Sequence, residues 1–184
     1  IGAGRMAGPE DKQQYLEDFF TASVADEPHA GKKALVTAGP TYEALDPVRF
    51  IGNFSTGKMG IALALAFAER GIGVDLVLGP SSEKIDHPLV TVHKVVSARD
   101  MYEACDRIFV QVDYAVLSAA VADFRPQEQA SEKIKKGTED TLQLTLVKNP
   151  DILAHLGSIK KPGQVLAGFA LETNNELENA RLKL

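Results

Sequence analysis

The fold is decided by residues 33–78, which read KALVTAGPTYEALDPVRFIGNFSTGKMGIALALAFAERGIGVDLVL. An apolar run at Ala34–Ala38 comes first, and Gly57–Arg70 then carries apolar residues at helical spacing before a second apolar run at Val74–Leu78. Strand, helix and strand in this order are typical of the βαβ unit, whose two strands pair in parallel. The stretch therefore predicts a parallel sheet with a helix packed on one face.

The same alternation continues along the rest of the chain. Only Gly79–Pro88 lies between two apolar runs without room for a full helix, so it is predicted as a loop. The pattern predicts an α/β protein with a Rossmann-like, doubly wound, mainly parallel sheet and helices on both faces. The predicted strands are Ala34–Ala38, Val74–Leu78, Val90–Val95, Tyr114–Ser118, Leu142–Val147 and Val165–Phe169, and the predicted helices are Gly57–Arg70, Ala98–Val112, Pro150–Leu156 and Asn174–Leu184.

The composition is that of an ordinary soluble globular protein. The chain has 184 residues, 45% of them hydrophobic and 24% charged, with a formal net charge of −5. One domain is the default at this length, and the acidic balance argues against a protein that coats nucleic acid. Cys105 is the single cysteine, which excludes an internal disulfide, and no apolar run reaches the ~18 residues of a membrane span. We expect a cytoplasmic protein and, because the chain opens at Ile1 rather than Met, a piece of a longer polypeptide.

Residues 1–31 are predicted to be a linker with a short helical segment around Lys12–Phe20, and residues 32–184 the main domain. Within that segment, Tyr15, Leu16, Phe19 and Phe20 fall on one helical stripe. The stripe docks either on the body of this domain or on a preceding domain.

Two long segments, Gly39–Thr56 and Ala119–Thr141, interrupt the pattern and are predicted as structureless loops. Both leave the carboxyl ends of predicted parallel strands, where open α/β sheets bind their ligands. The first loop matches the spacing G-x-x-x-x-G-K through Gly52, Gly57 and Lys58, but Met59 stands where a phosphate loop needs Ser or Thr. We instead predict that Ser55 or Thr56 caps the next helix, whose free N–H groups then face an anion.

The second loop has a local excess of positive charge. Its basic residues are Arg125, Lys133, Lys135 and Lys136, against the acidic Glu128 and Glu132. Such a stretch is either a flap that closes over polyphosphate or a solvated charged turn.

Six blocks, in the right order, resemble the bacterial phosphopantothenoylcysteine synthetase family, which is commonly the carboxyl-terminal half of a bifunctional coenzyme A biosynthesis protein. The resemblance runs from about Lys33 to the end. The blocks are Ala38–Thr41 with Asp46–Ile51, Asn53–Gly60, Ser118–Pro126, Glu132–Lys136, Val147–Ile152 and Gly168–Thr173. Gly4–Ala7 further resembles the junction after the flavin-dependent decarboxylase half of such proteins.

The resemblance implies an enzyme, a CTP-dependent phosphopantothenate–cysteine ligase. Such an enzyme joins 4′-phosphopantothenate to L-cysteine through an acyl-cytidylate, and releases pyrophosphate and CMP. The work is positioning and charge neutralisation, so no protein nucleophile is needed. By the resemblance, Lys133 is the flap lysine that binds the triphosphate, and Asn53 holds the acyl-cytidylate; both are the expected catalytic residues. Arg49 resembles the family's intermediate-binding arginine, and its alternative role is a salt bridge that anchors its loop.

The same resemblance assigns further residues. Ala119 and Ala120 are expected to let the intermediate lie against backbone. Asp123 serves either the ribose or the metal, and Phe169 either the base or the core at a strand end. The expected nucleotide-binding residues are Ser55, Gly57, Asp123, Phe124, Lys133, Lys136 and Phe169, and the metal ligands are otherwise unassigned.

The cofactors and partners also follow from the resemblance alone. It implies Mg²⁺ with CTP as co-substrate, a homodimer, and fusion to a decarboxylase domain, to which FMN belongs. No nucleic-acid or membrane partner is expected. The family continues beyond Glu172-Thr173, so residues 32–184 are expected to be a carboxyl-terminally incomplete synthetase domain.

Two other functions stay open at this point. One is a Rossmann-like oxidoreductase or epimerase that uses a pyridine nucleotide, although Gly39-Pro40-Thr41 replaces the usual G-x-G-x-x-G turn. The other is a non-catalytic, nucleotide-binding assembly module whose flap serves a partner.

Overall fold

The computed structural model of the chain describes residues 12–16, 31–135 and 141–169. A five-stranded, entirely parallel sheet lies at its centre, in the order β5 (Val90–Lys94), β4 (Gly73–Leu78), β1 (Lys33–Ala38), β6 (Tyr114–Leu117) and β9 (Val165–Gly168). This confirms the predicted α/β, doubly wound class. Further strands are β2 (Tyr42–Ala44), β3 (Phe50–Gly52), β7 (Phe124–Pro126) and β8 (Leu146–Lys148); the helices are α1 (Lys58–Glu69), α2 (Ala98–Phe109) and α3 (Ile152–Ile159).

Strand β1 occupies the middle of the sheet because its residues are apolar on both faces. Val36 belongs to the core cluster under α1, whereas Leu35 belongs to the cluster under α2 and α3. Neighbouring strand residues point to opposite faces, so a strand covered on both sides reads as a continuous apolar run. All five strands of this sheet are predicted to within one residue at each end.

Helix α1 lies unusually close to the sheet. A Cβ atom on Gly60 would lie 2.5 Å from the Cβ of Ala38 and 2.8 Å from the carbonyl oxygen of Thr37. Any larger residue would push the first turn of the helix away from the carboxyl end of β1.

The other two helices differ from their predicted bounds for local reasons. Ser97 and Asp100 form a capping box at the start of α2, as its predicted beginning requires, but the helix ends at Phe109 rather than Val112. Helix α3 begins at Ile152 rather than Pro150, because Asp151 is its N-cap and accepts a hydrogen bond from the backbone N–H of Ala154 at 2.9 Å.

Three predictions about the remaining segments are wrong. Leu142–Val147 is not a strand of the central sheet: only β8 is a strand there, and it pairs antiparallel with β7. Neither long loop is structureless, because β2 and β3 form an antiparallel hairpin within the first and β7 lies within the second. These short strands escape a reading based on apolar runs because they are largely exposed.

Residues 12–16 are helical, and Leu16 is buried in the core cluster under α1, so this part of the stripe docks on the body of the domain. Tyr15 is exposed. Phe19, Phe20 and the predicted helix Asn174–Leu184 lie outside the described residues. In the part of the chain that the structure describes, no helix combines the length and the apolar character that a membrane crossing requires.

Candidate functional site at the carboxyl edge of the sheet

The loops that follow β1 and β6 run side by side. The backbone N–H of Ala120 donates to the carbonyl of Gly39 at 2.9 Å, and the N–H of Thr41 donates to the carbonyl of Ala120 at 3.3 Å. The buried hydroxyl of Thr41 accepts from the N–H of Ala122 at 3.0 Å. Strands β1 and β6 flank the point where the strand order reverses, so this joined pair of loops lies at the switch point of the sheet.

Asn53 lies against the second of these loops. Its Nδ2 donates to the carbonyl oxygens of Val121, at 2.9 Å, and Ala120, at 3.4 Å. Asn53 directly follows β3 of the β2–β3 hairpin. A Cβ on Gly52 would lie 2.8 Å from the carbonyl oxygen of Thr41, so the end of β3 lies tightly against the start of the hairpin. The structure thus brings Asn53 to Ala120, as expected of two loops at one edge.

A cavity of about 740 Å³ opens beside these loops, at the carboxyl ends of β6 and β9. Of the residues singled out by sequence, Ala119, Asp123, Phe124 and Phe169 line it. Both phenylalanines expose a large part of their side chains, 44% for Phe124 and 40% for Phe169. Phe169 is therefore not a core aromatic.

The opposite wall of the cavity was missed by sequence reasoning. It consists of Lys148 and Asn149 together with the N-terminal turn of α3. Asn149 is held by its backbone N–H, which donates to the carbonyl of Asp123 at 2.8 Å, and by its Nδ2, which donates to Ala122 at 2.8 Å. The block Val147–Ile152, read with Asp151 as a helix cap, was the available signal.

Arg49 is engaged in an ion pair with Asp46. Its Nε and Nη2 donate to Oδ2 of Asp46 at 3.0 Å and 2.5 Å. The hydrogen bond from Arg49 lowers the pKa of this buried carboxyl well below its usual range, which outweighs the opposing effect of burial; the N–H groups of Val48, Ile134 and Arg49 lower it further. The anchoring salt bridge is thus present, and Nη1 of Arg49 has no hydrogen-bond partner among the described residues.

Lys133 is exposed and lies in a segment held against the β2–β3 hairpin. The N–H of Ala130 donates to the carbonyl of Leu45 at 2.9 Å, and Nη2 of Arg49 donates to the carbonyl of Ile134 at 2.8 Å. The segment is therefore held at the β2–β3 turn, while Asn53 follows the other end of the same hairpin. Lys136 lies outside the described residues.

The predicted helix cap at the start of α1 is wrong. Gly57 is the N-cap, with a left-handed φ of 82° that strains any residue with a side chain. Ser55 and Thr56 act one step earlier: their hydroxyls accept from the N–H groups of Gly57 at 3.3 Å and Lys58 at 3.4 Å. Ser55 and Gly57 do not line the cavity, but they lie at the N-terminus of α1, at the same edge of the sheet.

The donor set fits a phosphate-bound metal better than a protein cage. Within the described ranges, no three His, Cys, Asp or Glu side chains converge. Asp123 and Asp151 both line the cavity, and Oδ1 of Asp151 already accepts from Ala154. One or two carboxylates beside substrate phosphates are the usual environment of Mg²⁺.

Fold and site together define a doubly wound α/β domain with a ligand cavity at its switch-point edge. The family model described as DNA/pantothenate metabolism flavoprotein C-terminal domain matches residues 29–184, so the chain belongs to this family. Its structure resembles the crystal structure of the C-terminal domain of coenzyme A biosynthesis bifunctional protein CoaBC, with a TM-score of 0.72 and 42% identity over 86% of this chain and 74% of that one.

Several curated relatives match along the whole chain, and two of them illustrate the range. The Bacillus subtilis coenzyme A biosynthesis bifunctional protein CoaBC is 44% identical over 186 residues, which cover 45% of its length. A cysteine/cysteine sulfinic acid decarboxylase from an unknown prokaryotic organism is 45% identical over 184 residues, 51% of its length. The chain thus spans about half the length of the curated relatives it matches.

Proposed function

We propose that this chain catalyses the CTP-dependent ligation of 4′-phosphopantothenate with L-cysteine. The observation that carries the proposal is the placement of Asn53 on the carbonyls of Ala120 and Val121, the second of which lines the cavity. The Asn53 side chain is thus a polar group held by backbone carbonyls, beside a cavity large enough for a nucleotide-sized ligand. Membership of the family and the likeness to a CoaBC C-terminal domain support it.

We assign the nucleoside part of CTP to the cavity. Phe124 and Phe169 offer exposed ring surface for the base, and the carboxylate of Asp123 serves the ribose hydroxyls or the metal. The backbone of Ala119 lets a ligand approach closely, because its side chain is only a methyl group.

The triphosphate needs positive potential. We assign Ser55 and Gly57, at the N-terminus of α1, to the triphosphate, because a helix N-terminus favours an anion, and the exposed Lys133 supplies a cation. Lys136 is assigned to the same task from the resemblance. Mg²⁺, when bound, neutralises phosphate charge, and Asp123 is the carboxylate best placed to share in holding it.

The reaction then has two steps. The carboxylate of phosphopantothenate attacks the α-phosphorus of CTP, and pyrophosphate leaves with the charge that Lys133 neutralises. The cysteine amine next attacks the acyl carbon, and CMP leaves. Nδ2 of Asn53 is committed to two carbonyls, whereas its Oδ1 has no partner among the described residues and can accept from the incoming amine.

We extend the proposal to a homodimer, a cytoplasmic location and fusion to a decarboxylase domain. The printed name of the Bacillus subtilis relative, a bifunctional protein about twice as long as this chain, supports the fusion. The dimer is supported by three exposed apolar side chains in the segment that leads into and begins β8, namely Leu142, Leu144 and Leu146. Exposed apolar patches commonly mark interaction surfaces, so we assign these side chains to the contact with a second copy.

The test is release of CMP and pyrophosphate from CTP in the protein that carries this chain. We expect release to depend on both phosphopantothenate and cysteine. If CTP releases neither product with both substrates present, the proposal is overturned in favour of a nucleotide-binding module. A rise in melting temperature with NADPH but not with CTP and Mg²⁺ would overturn it in favour of an oxidoreductase.

A further inference from the structure

Asp46 is a buried carboxylate with partners from two distant parts of the chain. Only 2% of the residue is exposed. Its Oδ1 accepts from the backbone N–H groups of Val48 at 2.8 Å and Arg49 at 2.9 Å. Its Oδ2 accepts from the Arg49 guanidinium and, at 3.1 Å, from the N–H of Ile134, which is 88 residues away.

The local contacts alone would shape the turn between β2 and β3. The contacts with Ile134 do something else, because they hold both polar groups of one peptide residue: the N–H binds Asp46, and the carbonyl binds Nη2 of Arg49. A third contact, from the N–H of Ala130 to the carbonyl of Leu45 at 2.9 Å, holds the same segment four residues earlier. The backbone on which Lys133 stands is thus fastened to the hairpin that presents Asn53.

We propose that Asp46 is a positioning residue that sets the place of Lys133 relative to Asn53, an inference that rests on the proposed function. Lys133 has a long side chain with several rotatable bonds, so its reach is fixed mainly by its Cα position. Asp46 sets that position through Ile134, the next residue along. The contacts of Asp46 and Arg49 with Ile134 together form a clamp on the segment. These contacts use Nε and Nη2 of Arg49, so its Nη1 is left for the substrate.

The arrangement matters because misplacement of a catalytic group by about 1 Å can cost on the order of 10²-fold in rate. Without the clamp, the Lys133 segment would be free to sample many positions, and the lysine would meet the triphosphate in only some of them. The loss is therefore expected in the step that releases pyrophosphate.

The first experiment compares Asp46→Asn with Asp113→Asn in the protein that carries this chain. In Asp46→Asn a side-chain NH₂ group can replace the oxygen that accepts from Arg49 and Ile134, and an NH₂ group cannot accept these hydrogen bonds. We therefore expect pyrophosphate release to fall by about 10²-fold at saturating CTP. Asp113 makes the same kinds of contact, with Lys32 and Lys33, at the amino end of the sheet. Asp113→Asn is expected to keep the wild-type rate. Equal losses in the two variants would overturn the inference.

A double variant separates positioning from general destabilisation. If Asp46 acts through Lys133, Asp46→Asn adds little loss to Lys133→Gln, whereas independent roles would multiply the two losses. Multiplied losses would overturn the inference, as would unchanged turnover in Asp46→Asn.

Amide exchange at Ile134 gives a readout that needs no activity. We expect faster exchange in Asp46→Asn than in wild type, and unchanged exchange would overturn the inference. If wild type releases no pyrophosphate, the proposed function fails while this readout still tests the clamp. Should Asp46→Asn not fold, Ile134→Pro removes the donor without altering the carboxylate, with Ile134→Ala as its control; equal rates in these two would overturn the inference.

Discussion

The two ends of the central sheet use the same chemistry for different purposes. At the amino end, Asp113 accepts from Nζ of Lys32 and from the N–H of Lys33, each at 2.9 Å. At the carboxyl end, Asp46 accepts from a guanidinium and three backbone N–H groups. Burial raises the pKa of Asp113, but its hydrogen bonds outweigh that effect and leave the pKa lowered, as they do for Asp46.

The difference lies in what each carboxylate connects. Asp113 joins the starts of β1 and β6, which are already paired strands, so its loss affects stability. Asp46 joins segments that no described strand pairing holds together. At that end, a hydrogen bond decides geometry as well as stability, and the geometry belongs to the proposed site.

The largest effect is expected at the carboxyl end from Lys133→Gln. Removing this cation deprives the triphosphate of charge neutralisation as pyrophosphate leaves, and we expect a loss on the order of 10² to 10³ in rate. Neither intermediate nor product should accumulate in quenched reactions followed by mass spectrometry. Lys160→Gln, an exposed lysine just after α3, is the control and should react at the wild-type rate. Wild-type turnover in Lys133→Gln would contradict the assignment.

Asn53→Asp is expected to stop the reaction at a later point. The variant should still release pyrophosphate, but its negative charge beside the carbonyls of Ala120 and Val121 would disturb the acyl-cytidylate and the approach of the amine. Intermediate should therefore accumulate, visible by mass spectrometry. If this variant and Lys133→Gln stall at the same step, the separation of roles is wrong.

A smaller effect is expected in how the stabilisation by each of the two carboxylates depends on pH. Because the folded-state pKa of Asp46 is lowered, its stabilisation is fully present above the unfolded pKa of about 4 and is lost as pH falls through the lower folded value. The difference in melting temperature between wild type and Asp46→Asn should be constant from pH 5 to 8 and shrink below about pH 4. Asp113→Asn should behave alike but with a smaller difference, because Asp113 is more exposed. A difference for Asp46→Asn that grows as the solution is acidified would contradict this sign.

The smallest effect is expected at Cys105, which lies in the core between the two ends. Burial raises the pKa of its thiol to about 12, so almost no thiolate forms at neutral pH. Alkylation of native protein at pH 8 should be far slower than that of unfolded protein, and Cys105→Ser should retain turnover. Rapid alkylation with loss of turnover would place this residue in the chemistry after all.

The sequence predicted best where burial leaves a direct trace. The strands β1 and β6 are almost continuous apolar runs because helices cover both faces of the sheet, and such runs are read without knowledge of their neighbours. The segment around β8 shows the limit of prediction from local sequence. Leu142–Val147 has strand-like residues, but nothing local to it shows that its end pairs with Phe124–Pro126 rather than with the central sheet.

The caps show the same limit on a smaller scale. A side-chain oxygen just before a helix predicts an N-cap, and the carboxylate of Asp151 and the hydroxyl of Ser97 behave in that way. At α1 the close approach of Gly57 to the backbone of Gly39, where an added Cβ would lie 3.2 Å from the amide nitrogen, places a glycine at the cap instead. That approach depends on how the helix packs against the sheet.

By itself the sequence determined the alternation of strand and helix, the parallel class of the sheet and the two loops that hold the proposed site, because each is written in contiguous residues. Only the tertiary structure decided which residues of those loops meet. Asn53 reaches Val121 across 68 residues and Asp46 reaches Ile134 across 88, and both contacts exist because β1 and β6 are neighbours in the sheet. Strand order is a property of the whole packed chain, since it is set by which faces can be buried together.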